Sequence, residues 1–188
     1  FSNPIKIFEE TKPDIIFEVI GLSDGISKKI VETALRKKIH VITPNKALIA
    51  KHGDYLARLA EANNVNLEFE ASVAGGIPIL RTIKEGLSTN KINKVYGILN
   101  GTTNYILSEM EKSGENFEKV LKTAQQLGYA EPGNSKYDLN GSDAFAKVRI
   151  LSALSFNTLI SKSQCIVEGI EKINIKDIKI ANQLNLRI

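Results

Sequence analysis

Residues 15–46, IIFEVIGLSDGISKKIVETALRKKIHVITPNK, decide the fold. The run Ile15 to Ile20 is nearly continuous in apolar residues and is closed by Gly21, the pattern of a strand in a sheet covered on both faces. Ser27 to Lys38 then carries apolar residues at helical spacing (Ile30, Val31, Ala34, Leu35), and His40 to Thr43 reads as a second strand. Strand, helix and strand at this spacing predict a βαβ crossover. Pro44-Asn45 ends the second strand and opens a helix with Lys46 at its start. That helix runs through Leu48, Ile49, Tyr55, Leu56, Leu59 and Ala60 to Asn63-Asn64, and a third strand spans Val65 to Ser72. Three strands with intervening helices make half of a doubly wound nucleotide-binding sheet. Ligands of such sheets bind beyond the carboxyl ends of the strands, where Gly21 and the segment Thr43 to Lys46 lie. The glycine-rich GxGxxG turn is absent, and Gly75-Gly76 and Gly101 have the wrong spacing for it.

Upstream, Ile5 to Thr11 reads as a short helix before a Lys12-Pro13-Asp14 turn. Downstream, Ala74 to Pro78 forms a tight turn. It is followed by a helix from Ile79 to Gly86, a strand from Ile92 to Leu99, and the loop Asn100 to Thr103 leading into a helix, Asn104 to Lys112. Further helices are expected at Phe117 to Leu127, which ends on Gly128, at Asp143 to Leu154 and at Ile175 to Leu184, with a strand at Cys165 to Ile173. The fold class is therefore α/β: a partial Rossmann-like parallel sheet in residues 1–73, followed by an α+β domain in residues 74–188.

Composition narrows the classes of function. The chain has 188 residues, 43% of them hydrophobic, enough for a real core. Its net charge of +4 arises from 25 basic residues scattered among 21 acidic ones, whereas a phosphate-tracking surface needs clustered cations, so nucleic acid is not an expected partner. No apolar run approaches the roughly 20 residues that span a bilayer. No signal peptide opens the sequence, and a cytoplasmic location is the default expectation. Cys165 is the only cysteine, which rules out an internal disulfide or a CxxC metal knot; within SQCIVEGI it reads as a buried thiol. The sequence begins at Phe1 and its only methionine is Met110, so a piece of a longer polypeptide is expected.

The residues suited to chemistry gather in GYAEPGNSKYDLNGSDAFAK (128–147). Three carboxylates, Glu131, Asp138 and Asp143, flank a turn-rich loop, and Lys147 follows Asp143 by four residues, which puts both on one helix face. The same spacing also suits a solvated helix pair, and Asp138 or Ser142 also suits an ordinary cap. A calcium loop fits less well still, because aligning Gly141 with the loop glycine puts Lys136 and Lys147 where acids are required. Lys46 opposes the macrodipole at the start of its helix, a weak hint of function. Carbonyls of the Gly75-Gly76 turn beside Glu70 could hold a hard cation, or the turn could be a plain strand exit. Asn100 to Thr103 suits a helix cap, and its N–H groups and hydroxyls also suit a small anion.

Together, ITPNKALIA (42–50), FEASVAGGIPIL (69–80), GILNGTTNYIL (97–107) and GYAEPGNSKYDLNGSDAFAK (128–147) resemble homoserine dehydrogenase, in that family's order. The resemblance covers about Ile15 to the C-terminal end. It implies NAD(P)-dependent interconversion of L-aspartate 4-semialdehyde and L-homoserine, a step of threonine and methionine synthesis, in a homodimer. Carried over by motif, Lys147 resembles the proton donor for aldehyde reduction, and Lys46 the lysine between nicotinamide and substrate. Glu131 and Asp143 match acids that hold the substrate, and Asp138 a further acid of that pocket. Gly101 and Thr102 match the loop that approaches the substrate. Ile20 and Gly21 fall where a strand-end loop touches the nicotinamide. Glu70, with the carbonyls of Val73, Gly75 and Ile77, matches a structural monovalent-cation site that takes sodium.

The sequence departs from the family where Gly133-Asn134 replaces an acid-proline pair. It also lacks the glycine-rich N-terminal βαβ unit and the end of the catalytic sheet, so the 188-residue polypeptide alone is expected to turn over poorly or not at all. Two other readings stand beside this one. A semialdehyde dehydrogenase would work through a thiohemiacetal on Cys165, with only His40 and His52 available as imidazole bases. A catalytically inactive relative would serve as an oligomerisation module through residues 92–188.

Overall fold

The centre of the sheet is β2 (His40–Ile42), flanked by β1 (Ile15–Phe17) and β3 (Leu67–Glu68) in the order β1-β2-β3, both pairs parallel. The computed structural model describes residues 4–133 and 135–188. Ile16 sits opposite Val41, and Val41 opposite Leu67, so one buried row crosses the sheet. Between the strands run α2 (Ile26–Arg36) and α3 (Lys46–Ala62), as the periodicity predicts. Ile30, Val31, Ala34 and Leu35 of α2 are all buried, as are Leu48, Ile49, Leu56 and Ala60 of α3; the apolar stripe of each helix is its packing face. Gly25 caps α2 with a positive φ of 64°, a conformation that favours glycine. Asn45 caps α3 by accepting the Leu48 N–H at 3.1 Å.

Several elements are shorter than expected. The N-terminal helix is a 3-10 turn (Pro4–Lys6) followed by α1 (Ile7–Glu10). The first strand ends at Phe17, one residue before Glu18, whose N–H still donates to the Ile42 carbonyl at 2.9 Å while its side chain enters a hydrogen-bond network. Nor is β1 covered on both faces: Ile16 is buried while Ile15 and Phe17 are 48% and 68% exposed. The third strand gives way to a 3-10 turn at Glu70–Ser72, and the following helix is α4 (Ile79–Arg81) continued by a π turn, Thr82–Gly86.

Packing divides the chain into two units, Phe1–Val95 with Ala146–Ile160, and Tyr96–Phe145 with Ser161–Ile188. The first holds the sheet and its helices. The second is built on α5 (Gly101–Ser113), α6 (Phe117–Gln126), the short α7 (Lys136–Leu139) and α9 (Ile175–Gln183). Its core joins Ile106 and Met110 of α5, Val120 and Ala124 of α6, Ala130, Leu139 and Ile178. Helix α8 (Ser142–Phe156) is continuous across the division in sequence. The strands expected at Ile92 to Leu99 and Cys165 to Ile173 are not formed; neither segment joins a ladder among the described residues. Alternating apolar residues give β propensity, but a strand exists only through a paired neighbour, and here Tyr96, Ile98 and Ile166 face solvent. Cys165 is accordingly half-buried at the end of a 3-10 turn, not a core thiol. Among the described residues no helix is long and apolar enough to cross a membrane.

Candidate active site

At the carboxyl end of the sheet the expected cofactor residues sit in two adjoining segments. Ile20 and Gly21 follow β1; Ile20 is 47% exposed, and Gly21 has φ 88° with open space where a side chain would stand. Lys46 opens α3 directly after its cap, Asn45. Both segments are tied to a residue that the sequence reading took only as part of a strand. Glu18 is 2% exposed; its Oε1 accepts the Ile20 N–H at 2.9 Å, and its Oε2 accepts the Thr43 hydroxyl at 2.7 Å and the Asn45 amide at 3.2 Å. Burial by itself would raise its pKa, yet the Thr43, Ile20 and Asn45 donors outweigh burial and hold the carboxyl below its ordinary value. A lone acid inside the apolar run IIFEVI was the available signal.

The loop after Gly21 is held again further out. Asp24 accepts Lys51 Nζ at 2.6 Å, lies 2.9 Å from His52 Nε2 and accepts the Ser23 hydroxyl at 2.7 Å. Lys51, His52 and Ser23 keep its carboxyl well below the usual carboxylate range. The pairing is at the surface, where such contacts are worth little stability. Its effect is to draw the loop onto α3.

In the second unit the acids assemble around Asn100, which is 8% exposed. Its Nδ2 donates to Asp138 at 2.7 Å and to Asp143 at 3.0 Å, while its Oδ1 accepts the Thr103 N–H at 2.8 Å and so caps α5. The sequence reading offered Asn100 as a cap or part of an anion loop; its grip on two carboxylates, 38 and 43 residues away, had no local signature. Gly101 and Thr102 begin α5, and the Thr102 hydroxyl donates to the Tyr129 carbonyl at 2.6 Å, joining that helix start to the loop that carries Glu131. The Tyr105 ring stacks on Tyr129 at a centroid distance of 4.3 Å. Glu131 is exposed, and its backbone carbonyl accepts the Ser135 hydroxyl at 2.7 Å. Asn134, part of the departure from the family pattern, lies outside the described residues.

The acid loop is braced from behind. Leu139 carbonyl accepts the Ile170 N–H at 2.9 Å, bringing residues 168–170 against 139–141. A Cβ on Gly169 would collide with the Leu139 carbonyl and meet Asn140 Cα at 2.7 Å, and one on Gly141 would meet the Glu168 carbonyl at 2.9 Å. Asp143 lies in the first turn of α8 and is 6% exposed. Lys147, half-buried, follows by four residues on the same helix face. Lys46 and Lys147 both belong to the first packing unit.

Glu70 opens its 3-10 turn and accepts the N–H groups of Leu80 at 2.9 Å and Arg81 at 2.8 Å, capping α4 through its side chain. Between them the chain turns at Ala74 (φ 53°) and Gly76 (φ 82°), with Val73 buried and Ile77 exposed. Among the described residues no group of three or more His, Cys, Asp or Glu side chains is arranged to hold a metal ion. A cation here would rely on backbone carbonyls.

Two family profiles match the chain: "Homoserine dehydrogenase, NAD binding domain" over residues 3–70 and "Homoserine dehydrogenase" over residues 78–188. The chain is 45% identical to the homoserine dehydrogenase of Neisseria gonorrhoeae over 187 residues, covering 100% of the chain and 42% of that protein. It is 44% identical to the Bacillus subtilis enzyme, covering 95% and 41%. The crystal structure of a homoserine dehydrogenase from Thiobacillus denitrificans superposes with a TM-score of 0.92 at 41% identity, over all of this chain and 43% of that one. A hyperthermophilic archaeal homoserine dehydrogenase mutant in complex with NADPH superposes with a TM-score of 0.82 at 31% identity, over 90% of this chain and 51% of that one. The chain thus spans well under half the length of these curated relatives.

Proposed function

The chain belongs to the homoserine dehydrogenase family, and from that premise we propose that it serves the NAD(P)-dependent reduction of L-aspartate 4-semialdehyde to L-homoserine. The observation that carries the reading is the convergence of Asp138 and Asp143 on the Asn100 amide. An amino-acid substrate brings an ammonium group, and paired carboxylates held in a fixed geometry are a receptor for such a cation. When bound, the nicotinamide, as NADP or NAD, supplies the hydride that adds to the aldehyde carbon.

The remaining work falls to side chains. Lys147 gives a proton to the aldehyde oxygen as charge builds on it, and Asp143, one helical turn earlier, orients that lysine. Glu131 and Asp143 hold the substrate ammonium, with Asp138 a further acid of the same pocket, while Gly101 and Thr102 form the loop that approaches the substrate. Lys46 adds a second positive charge against the developing alkoxide. Ile20 and Gly21 receive the nicotinamide end of the cofactor; the open space at Gly21 and the exposed apolar side chains of Ile20 and Leu22 fit a flat aromatic ring. Glu70 and the carbonyls of Val73, Gly75 and Ile77 hold sodium in a structural role. That donor set is all oxygen, as a hard cation requires, and a carboxylate already accepting two N–H bonds keeps lone pairs for a metal.

Cofactor consumption by the full-length natural protein with L-aspartate 4-semialdehyde tests the reading. Turnover that collapses in Lys147→Ala supports it, and no turnover with either NADPH or NADH overturns it.

A further inference from the structure

The network at the sheet end contains a buried acid to which the reaction gives no part. Resting on the cofactor assignment above, we infer that Glu18 is a positioning residue: it locks the Ile20–Leu22 loop and the start of α3 into one register, so that the nicotinamide meets a preformed surface.

The donors bonded to Glu18 are neutral, the Ile20 N–H, the Thr43 hydroxyl and the Asn45 amide, and the Ser27 hydroxyl also favours its ionised form. Each bonded donor comes from a segment expected to touch the cofactor or to aim Lys46. The network then closes on itself. Asn45 Nδ2 also donates to the Leu22 carbonyl at 2.8 Å, its N–H donates to Thr43 Oγ1 at 3.0 Å, and its Oδ1 caps α3. A shift of the loop therefore breaks bonds at the helix start, and a shift of the helix start breaks bonds in the loop. Removing the acid would orphan the Ile20, Thr43 and Asn45 donors, so these bonds steady the fold as well as fix the register, and cofactor affinity is the readout that distinguishes the two roles. The hydrogen bonds hold Glu18 ionised at neutral pH, which keeps it an acceptor on both oxygens.

The test compares Thr43→Val, Thr43→Ser and Glu18→Leu in the full-length natural protein. It reads NADPH affinity by fluorescence, the KM for L-aspartate 4-semialdehyde, and hydrogen exchange of peptides spanning 19–25 and 43–49. Loss of hydrogen bonds to a charged acceptor should weaken NADPH binding about tenfold or more in Thr43→Val and Glu18→Leu. Thr43→Ser, which keeps the hydroxyl, should restore wild-type affinity, the semialdehyde KM should stay near wild type throughout, and the two peptides should loosen together. Unchanged NADPH affinity in Thr43→Val, or one peptide loosening without the other, overturns the inference. If Glu18→Leu fails to fold, the Thr43 pair decides. A wild-type protein that binds NADPH but ignores the semialdehyde would refute the proposed reaction and leave this inference to the same variants; one that binds neither NADPH nor NADH overturns both.

Discussion

Glu18 in the sheet-bearing unit and the pair Asp138 and Asp143 in the helical unit are carboxylates tied down by neutral donors, with different outcomes. Glu18 is one charge met by neutral donors from the Ile20 backbone and from the Thr43 and Asn45 side chains. Asp138 and Asp143 are two charges drawn together by a single amide, which donates to both. The first arrangement is complete in itself and suits a frame. The second sets like charges side by side and suits a site whose occupant is a cation.

The largest effect should follow from removing the proposed proton donor. Lys147→Ala is expected to lower kcat by about 10²–10⁴-fold, the usual contribution of a positioned acid. Cofactor affinity should be little changed, as steady-state kinetics with the semialdehyde and NADPH varied separately would show. A smaller loss should come from Asn100→Ala, which removes the donor common to Asp138 and Asp143. The semialdehyde KM should rise about tenfold to hundredfold. Asn100→Asp, which puts a third carboxylate in place of the donor, should go further; an Asp variant close to wild type, since Asp still accepts the Thr103 N–H, would mean that Asn100 acts only as a cap for α5 and does not gather the acids.

Gly169→Ala sharpens the contrast from behind the acid loop. Its Cβ would press on the Leu139 carbonyl and Asn140 Cα, both backbone, so the segment must move. Overpacking of this kind costs about 1–3 kcal/mol. Thermal unfolding should register it, and substrate affinity should fall with it because α7 carries Asp138. An alanine variant as stable as wild type would show that residues 168–170 do not brace the loop.

A smaller effect separates the two regions by pH. Glu18 has a folded pKa below its ordinary value of 4.5, so it adds stability at neutral pH that is lost as pH falls through the folded value. Glu18→Gln cannot titrate. Its stability deficit relative to wild type, measured by denaturant unfolding, should be present at neutral pH and shrink in acid below 4.5. A deficit independent of pH would mean that shape alone, and not charge, makes Glu18 fit its donors.

What the sequence disclosed and what it hid follow the reach of the interactions. The βαβαβ order was legible because burial is written in periodicity: Ile30, Val31, Ala34 and Leu35 announce the inner face of α2, and all four are buried. Lys46 at the opening of α3, and Asp143 four residues before Lys147, were legible because helix register is local. Glu18 and Asn100 were read for other things because their partners lie 25 to 43 residues away. The crowding at Gly169 is hidden from the sequence for a related reason, since the backbone that crowds it belongs to residues 139 and 140. The strands expected at 92–99 and 165–173 failed for the converse reason. Their alternation is local, but a ladder is not, and neither segment is paired among the described residues.

The smallest expected effect is none. Cys165 is the only thiol, and a thiohemiacetal route would require it as nucleophile beside a base that raises its thiolate fraction. It stands half-buried at the end of a 3-10 turn, Lys162–Gln164. Of the two histidines, His52 is engaged with Asp24, and His40 accepts the Asn66 N–H at 3.0 Å through Nδ1. Neither imidazole is committed to the thiol. Cys165→Ser should therefore leave kcat with the semialdehyde unchanged. A loss on the scale expected for Lys147→Ala would move the chemistry away from the acid pair and onto sulfur, and the distinction between frame and site drawn from Glu18 and the Asn100 acids would no longer describe catalysis.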